Sequence, residues 1–227
     1  MERQTLIRVE GLTKTFNKVN VIDNLSIRFH AGDRIALIGQ NGAGKTTLIR
    51  CILGLYTYEG FLSVLNKNPR TQREEVLQQV GFVPQMPPPL AMTVKEIMHF
   101  FSVITESDRD TFYRITDDLN LDVKKHWNKP FLKLSGGMKQ KLLVALALSR
   151  RPKILLMDEP TANLDPAARK VLVRYLEELP SDTLLILSSH RVKEIAHLVN
   201  RLVEMDLGKI VVDKAFDDDY HTSDDDF

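Results

Sequence analysis

Residues 39–46 read Gly-Gln-Asn-Gly-Ala-Gly-Lys-Thr and fit the pattern G-x-x-x-x-G-K-[ST]. The run follows an apolar strand pattern at 34–38 and leads into a helical pattern from about Lys45. Few other arrangements suit such a run. Gly42 and Gly44 permit positive φ and a close approach of backbone to ligand. The N–H groups of a loop like this, together with a helix N-terminus, form an anion cradle. Lys45 adds a point charge suited to β- and γ-phosphates, and Thr46 a hydroxyl suited to Mg²⁺. Gly39, Asn41, Ala43 and Thr47 complete the candidate nucleotide-binding run. A plain glycine-rich turn would match by chance on the order of one time in a hundred at this chain length.

A second chemistry-bearing element is Ile154-Leu155-Leu156-Met157-Asp158-Glu159, an apolar strand ending in two acids. Ligands of α/β sheets sit at the carboxyl ends of strands. Asp158 is therefore expected to reach a Mg²⁺ shell, directly or through water. Glu159 is expected to position or deprotonate the water that attacks a γ-phosphate. Two acids after a strand are otherwise commonly a loop start or a helix cap; the phosphate loop tips the balance toward chemistry.

The 227 residues, 43% of them hydrophobic, suffice for one domain, or one domain with a small insert. A net charge of +1 gives no basic bias toward nucleic acid. The single cysteine, Cys51, excludes an internal disulfide and reads as core filling. The longest apolar runs, 142–148 and 154–157, fall short of the roughly 20 residues of a spanning helix. Met1 to Thr5 lack the apolar stretch of a secretory signal.

Short apolar runs alternate with amphipathic segments, which predicts an α/β fold with a mostly parallel sheet. Residues 6–10, 25–30 and 61–65 are expected to form a small antiparallel layer, and 81–84 a further strand. Pro87-Pro88-Pro89 opens a helical insert, with helices at 94–104 and 109–120. A helix from Ser135 to about 150, strands at 153–157 and 183–188, helices at 166–179 and 192–199, and two late strands complete the set. The aspartate-rich segment 213–227 reads as a solvated, frayed tail.

The GTPase base-reading pattern N/T-K-x-D is missing. Between the phosphate loop and the strand acids stands Leu134-Ser135-Gly136-Gly137-Met138, with a helical pattern behind it. Here the chain resembles the ABC ATPase family, whose signature is usually L-S-G-G-Q; Met138 takes the last position, a departure expected to weaken one polar contact while leaving the serine and both glycines intact. The resemblance covers nearly the whole chain. It implies a P-loop NTPase core with a mostly parallel sheet, a small antiparallel β layer and a helical insert. The ATP-binding domain would span 3–212, with the insert at about 87–150.

The resemblance also implies roles. Phe16 stacks on adenine where tyrosine is more usual. Gln85 senses Mg²⁺ and the water, and Asp165 ends the D-loop run 162–165. His190 contacts the γ-phosphate. Ser135, Gly136 and Gly137 close over the ATP of a second subunit. The expected protein is thus a homodimer that binds two Mg-ATP, converts ATP and water to ADP and phosphate, and drives a separate integral membrane permease. Its expected place is the cytoplasmic face of the membrane, without nucleic acid, and with an extracytoplasmic binding protein where cargo comes from outside. The run 135–140 and the compact size look like the ABC-2 export-type group, which includes motors for the maturation of copper enzymes such as nitrous oxide reductase. The alternative is a non-transport ABC ATPase acting on a soluble partner. DNA-repair members carry long coiled coils and translation members two cassettes; neither fits this chain. A purely regulatory module conflicts with intact Asp158, Glu159 and His190.

Overall fold

The computed structural model describes residues 3–104, 108–189 and 195–216. The chain forms two compact units, one from Met1–Val80, Lys153–Asp158 and Pro180–Phe227, the other from Gly81–Pro152 and Glu159–Leu179.

In the first unit, β1 (Thr5–Phe16), β2 (Val19–His30) and β4 (Glu59–Val64) form an antiparallel sheet in the order β2-β1-β4. Val9 stands opposite Ile27 on one side and Leu62 on the other, and all three are buried. A second sheet runs β6 (Ile154–Asp158), β7 (Leu184–Ser188), β3 (Arg34–Ile38), β8 (Arg201–Asp206) and β9 (Lys209–Ala215). Its first four strands are parallel, and β9 returns antiparallel to β8. Every residue of β6 and β7 is buried, the unbroken apolar run expected of parallel strands covered on both faces. Helix α1 (Lys45–Ile52) follows the glycine loop and buries Leu48, Ile49, Cys51 and Ile52. Each such aliphatic side chain contributes about 1.5–3 kcal/mol by leaving water. The short α2 (Arg73–Leu77) buries only Val76, so no periodicity announced it in the sequence.

The second unit holds all but the first residue of β5 (Val80–Val83), then α3 (Val94–Ile104), α4 (Arg109–Asp118), α5 (Gly136–Ser149) and α6 (Pro166–Glu177). Helix α3 is entered through a capping box. The Thr93 N–H donates to Glu96 Oε2 at 2.7 Å, and the Glu96 N–H donates to Thr93 Oγ1 at 3.2 Å. Asp108 and Asp165 cap α4 and α6.

The antiparallel layer and the parallel sheet form as expected, though β1 and β2 each run to 12 residues where shorter strands were expected. The differences have local causes. Helix α4 stops at Asp118 rather than 120, because Asn120 turns to φ 53°. The second unit extends beyond 87–150 to take in α6, whose Arg174 and Tyr175 both donate to Asp118 of α4. Residues 213–215 belong to β9 rather than to a tail, with Asp213 accepting two hydrogen bonds from Arg201. Of the segment expected as a helix at 192–199, residues 192–194 lie outside the described residues, Ile195 is helical and Ala196–Leu198 form a 3₁₀ turn. Among the described residues, no helix is long and apolar enough to cross a membrane.

Candidate nucleotide site

The glycine loop has the backbone its sequence requires. Gly39, Gly42 and Gly44 take φ of 138°, 89° and 107°. A Cβ on Gly39 would lie 2.1 Å from the Met205 carbonyl oxygen, and one on Gly44 would lie 2.8 Å from that of Val21. Among the described residues, nothing lies within 4 Å of such a Cβ on Gly42, which leaves room there for a ligand. The Gly208 N–H, in the β8–β9 turn, donates to the Ala43 carbonyl at 3.1 Å. Asn41 is exposed and Thr47 half-buried. Lys45 is buried, and its ammonium donates to the carbonyls of Gly39 and Gln40. The charge is thereby held over the loop, at the N-terminus of α1.

Asp158 is 4% exposed and ends β6. Thr46 Oγ1 donates to its Oδ2 at 2.7 Å, and Ser188 Oγ donates to its Oδ1 at 2.5 Å. One carboxylate thus joins the phosphate loop, the end of β6 and the end of β7. A carboxylate and hydroxyls are hard oxygen donors of the kind Mg²⁺ takes, so the residues fit that ion. Ser188 carries no motif of its own. Its signal is positional: it stands opposite Asp158 in the parallel register, at the C-terminal end of the neighbouring strand.

Phe16 is 38% exposed, with Tyr56 against it edge-on at 5.2 Å between ring centroids. Lys14 Nζ lies 4.5 Å over the Phe16 ring, and Arg50 of α1 donates to the Tyr56 hydroxyl at 2.6 Å.

The second unit carries Gln85, Glu159 and the signature. Gln85 is exposed directly after Pro84. Glu159 takes φ 48°, a left-handed backbone that a non-glycine residue adopts at a cost. Ser135 is the N-cap of α5, its Oγ accepting from the Met138 N–H at 3.2 Å. The cap uses the backbone of Met138, so the replaced signature residue leaves it intact. Gly136 is exposed. Gly137 packs so closely that a Cβ would lie 3.0 Å from the Asn163 carbonyl oxygen. Asp165 accepts from the Ala168 N–H at 2.9 Å and pairs with Lys141 at 2.7 Å. Those two donors, Lys141 foremost, hold its carboxyl below the usual carboxylate range. Gln140 is wholly buried one turn into the helix. His190 lies outside the described residues.

The first unit therefore gathers Gly39, Gly42, Gly44, Lys45, Thr46 and Asp158, and the second gathers Gln85, Glu159, Ser135, Gly137 and Asp165. The family model described as ABC transporter matches residues 22–162. The chain is 32% identical over 218 residues to the bacitracin transport ATP-binding protein BcrA of Bacillus licheniformis, covering 94% of this chain and 71% of that protein. It is 28% identical over 215 residues to the lantibiotic transport ATP-binding protein SrtF of Streptococcus pyogenes, covering 93% and 92% of the two chains. A solved ATP binding subunit of an ABC transporter matches with a TM-score of 0.84 at 25% identity, over 94% of this chain and 91% of that one. Loop, carboxylate and signature agree with these likenesses, and the chain belongs to the ATP-binding family of ABC transporters, whose members are ATPases coupled to transport.

Proposed function

We propose that two copies of this chain pair head to tail around two Mg-ATP and drive a separate integral membrane permease from the cytoplasmic face. Lys45 and the N–H groups of residues 39–46 hold the β- and γ-phosphates. Thr46 and Asp158 hold Mg²⁺, which when bound neutralises charge on the phosphate oxygens; Gln85 borders that shell. Glu159 takes a proton from water as its oxygen forms a bond to the γ-phosphorus and the bond to the ADP oxygen breaks. Phe16 carries the adenine. Ser135, Gly136 and Gly137 of each copy, with Asp165 tied to the same helix through Lys141, face the γ-phosphate in the other, where a helix N-terminus favours negative charge. His190 completes the γ-phosphate contacts. The run 135–140 favours a permease of the export type.

The observation that carries the reading is the carboxylate of Asp158 bonded to Thr46, next to Lys45, at the C-terminal edge of a parallel sheet. The test is Glu159→Gln. We expect ATP turnover to fall at least a hundredfold while ATP still produces dimers in light scattering. Wild-type turnover in this variant would remove Glu159 as the base.

A further inference from the structure

Helix α5 does more than present the signature. Its Gln140 side chain is 0% exposed. The two hydrogens of Nε2 point at two backbone carbonyls, that of Pro160 at 3.3 Å and that of Pro84 at 3.5 Å. Pro160 directly follows Glu159, and Pro84 directly precedes Gln85. We propose that Gln140 is a positioning residue that holds Gln85 and Glu159 in register with the signature helix. The proposal rests on the roles assigned above to those two residues.

Three observations support it. Among the described residues, Gln140 Oε1 has no hydrogen-bond partner, and an unmet buried acceptor is destabilising. A methionine would fill the same volume without that cost but would leave both carbonyls without their donor, so what the amide contributes here lies in its two donated hydrogen bonds. Secondly, Glu159 sits at φ 48°. Such a backbone persists only where its surroundings over-determine it, and the grip on the Pro160 carbonyl fixes the next peptide plane. Thirdly, both carbonyls belong to prolines, whose fixed φ stiffens the chain at that point. A small rotation of α5 would then move both segments together. Gly137 against Asn163 and Lys141 on Asp165 tie the same helix to the chain beyond Pro160. A signature helix seated on a neighbouring nucleotide would in this way report to the water-handling groups of its own subunit.

The test uses the whole purified chain, with turnover measured separately from calorimetric affinity for a non-hydrolysable ATP analogue. Gln140→Met is expected to lower kcat at least tenfold with analogue affinity within twofold of wild type. Gln140→Glu adds a readout that a packing role would not move. Its carboxylate would face two carbonyl oxygens, whereas its protonated form donates to one of them. Its kcat relative to wild type should therefore rise several-fold from pH 8 to pH 6. The proposal is overturned if Gln140→Met keeps kcat within twofold of wild type, if kcat and affinity fall together, or if the Gln140→Glu ratio is flat with pH. Should Gln140→Met fail to fold, the pH ratio decides. Glu159→Gln, run alongside, separates the two readings. If it is inert while Gln140→Met is active, only this proposal falls; if it turns over like wild type, the base assignment falls and takes this proposal with it.

Discussion

Cys51 illustrates what burial does to one side chain. It is wholly enclosed on α1, and loss of hydration pushes its thiol up to about 11, partly offset by Lys14. A thiol with a raised folded-state pKa stabilises the fold fully below its unfolded value of 9.0 and loses that contribution as pH climbs through about 11. The difference in unfolding free energy between wild type and Cys51→Ala should hence shrink by about 2–3 kcal/mol from pH 8 to 11. Urea titrations at four or five pH values would measure it; a gap that stays constant would contradict the enclosure of the thiol. At this scale the sequence was readable where type and spacing together imply chemistry, as at Lys45, Thr46 and Asp158. Ser188, Tyr56 and Gln140 were not, since each takes its meaning from a neighbour distant in the chain: Asp158, Phe16, and the carbonyls beside Glu159 and Gln85.

Elements were legible for a different reason. The buried strands β6 and β7 are unbroken apolar runs, and α3 and α6 begin at strong caps, so local composition fixed their type. The element-level question is whether Ser135 serves α5 or the phosphate of a partner. Both roles use the same oxygen, and substitution can part them. Ser135→Asp keeps an acceptor for the Met138 N–H, and a carboxylate at a helix start also suits the dipole. We expect that variant to melt within a few degrees of wild type. The same carboxylate would repel a γ-phosphate, so ATP-dependent dimers should be lost in light scattering. Ser135→Ala provides the converse, costing about 1 kcal/mol of stability through the lost cap. Persistence of the dimer in Ser135→Asp would separate the signature from the phosphate.

For the whole molecule, the first unit is closed by a charged knot rather than by apolar packing alone. Asp33 is buried and accepts from Arg3, from Arg201 and from the His30 N–H; Arg201 in turn reaches Asp213 on β9 and the Arg28 carbonyl on β2. Removing Arg201 would leave buried Asp33 with Arg3, a largely exposed partner, and so cost less than the roughly 3–5 kcal/mol of a fully stranded buried charge. Arg201→Met is expected to lower the urea midpoint accordingly, with Asp33→Asn in the same background restoring part of the loss. Nothing in the composition announced this knot, since its members are spread from residue 3 to 213. Residues 213–215 depart from the expected tail for the same cause: Arg201 draws Asp213 into the sheet; residues 217–227 lie outside the described residues.

The crowding of Gly39 on Met205 and the hydrogen bond from Gly208 to Ala43 bear on how such a loop keeps its shape. The phosphate loop does not fold to its binding form by its own glycines. It is cast against the β8–β9 hairpin, which forms only when residues 201–215 have left the ribosome. A nascent chain shorter than that would carry the complete motif and yet no finished mould for a triphosphate. Nucleotide capture thus waits on a segment made long after the loop itself.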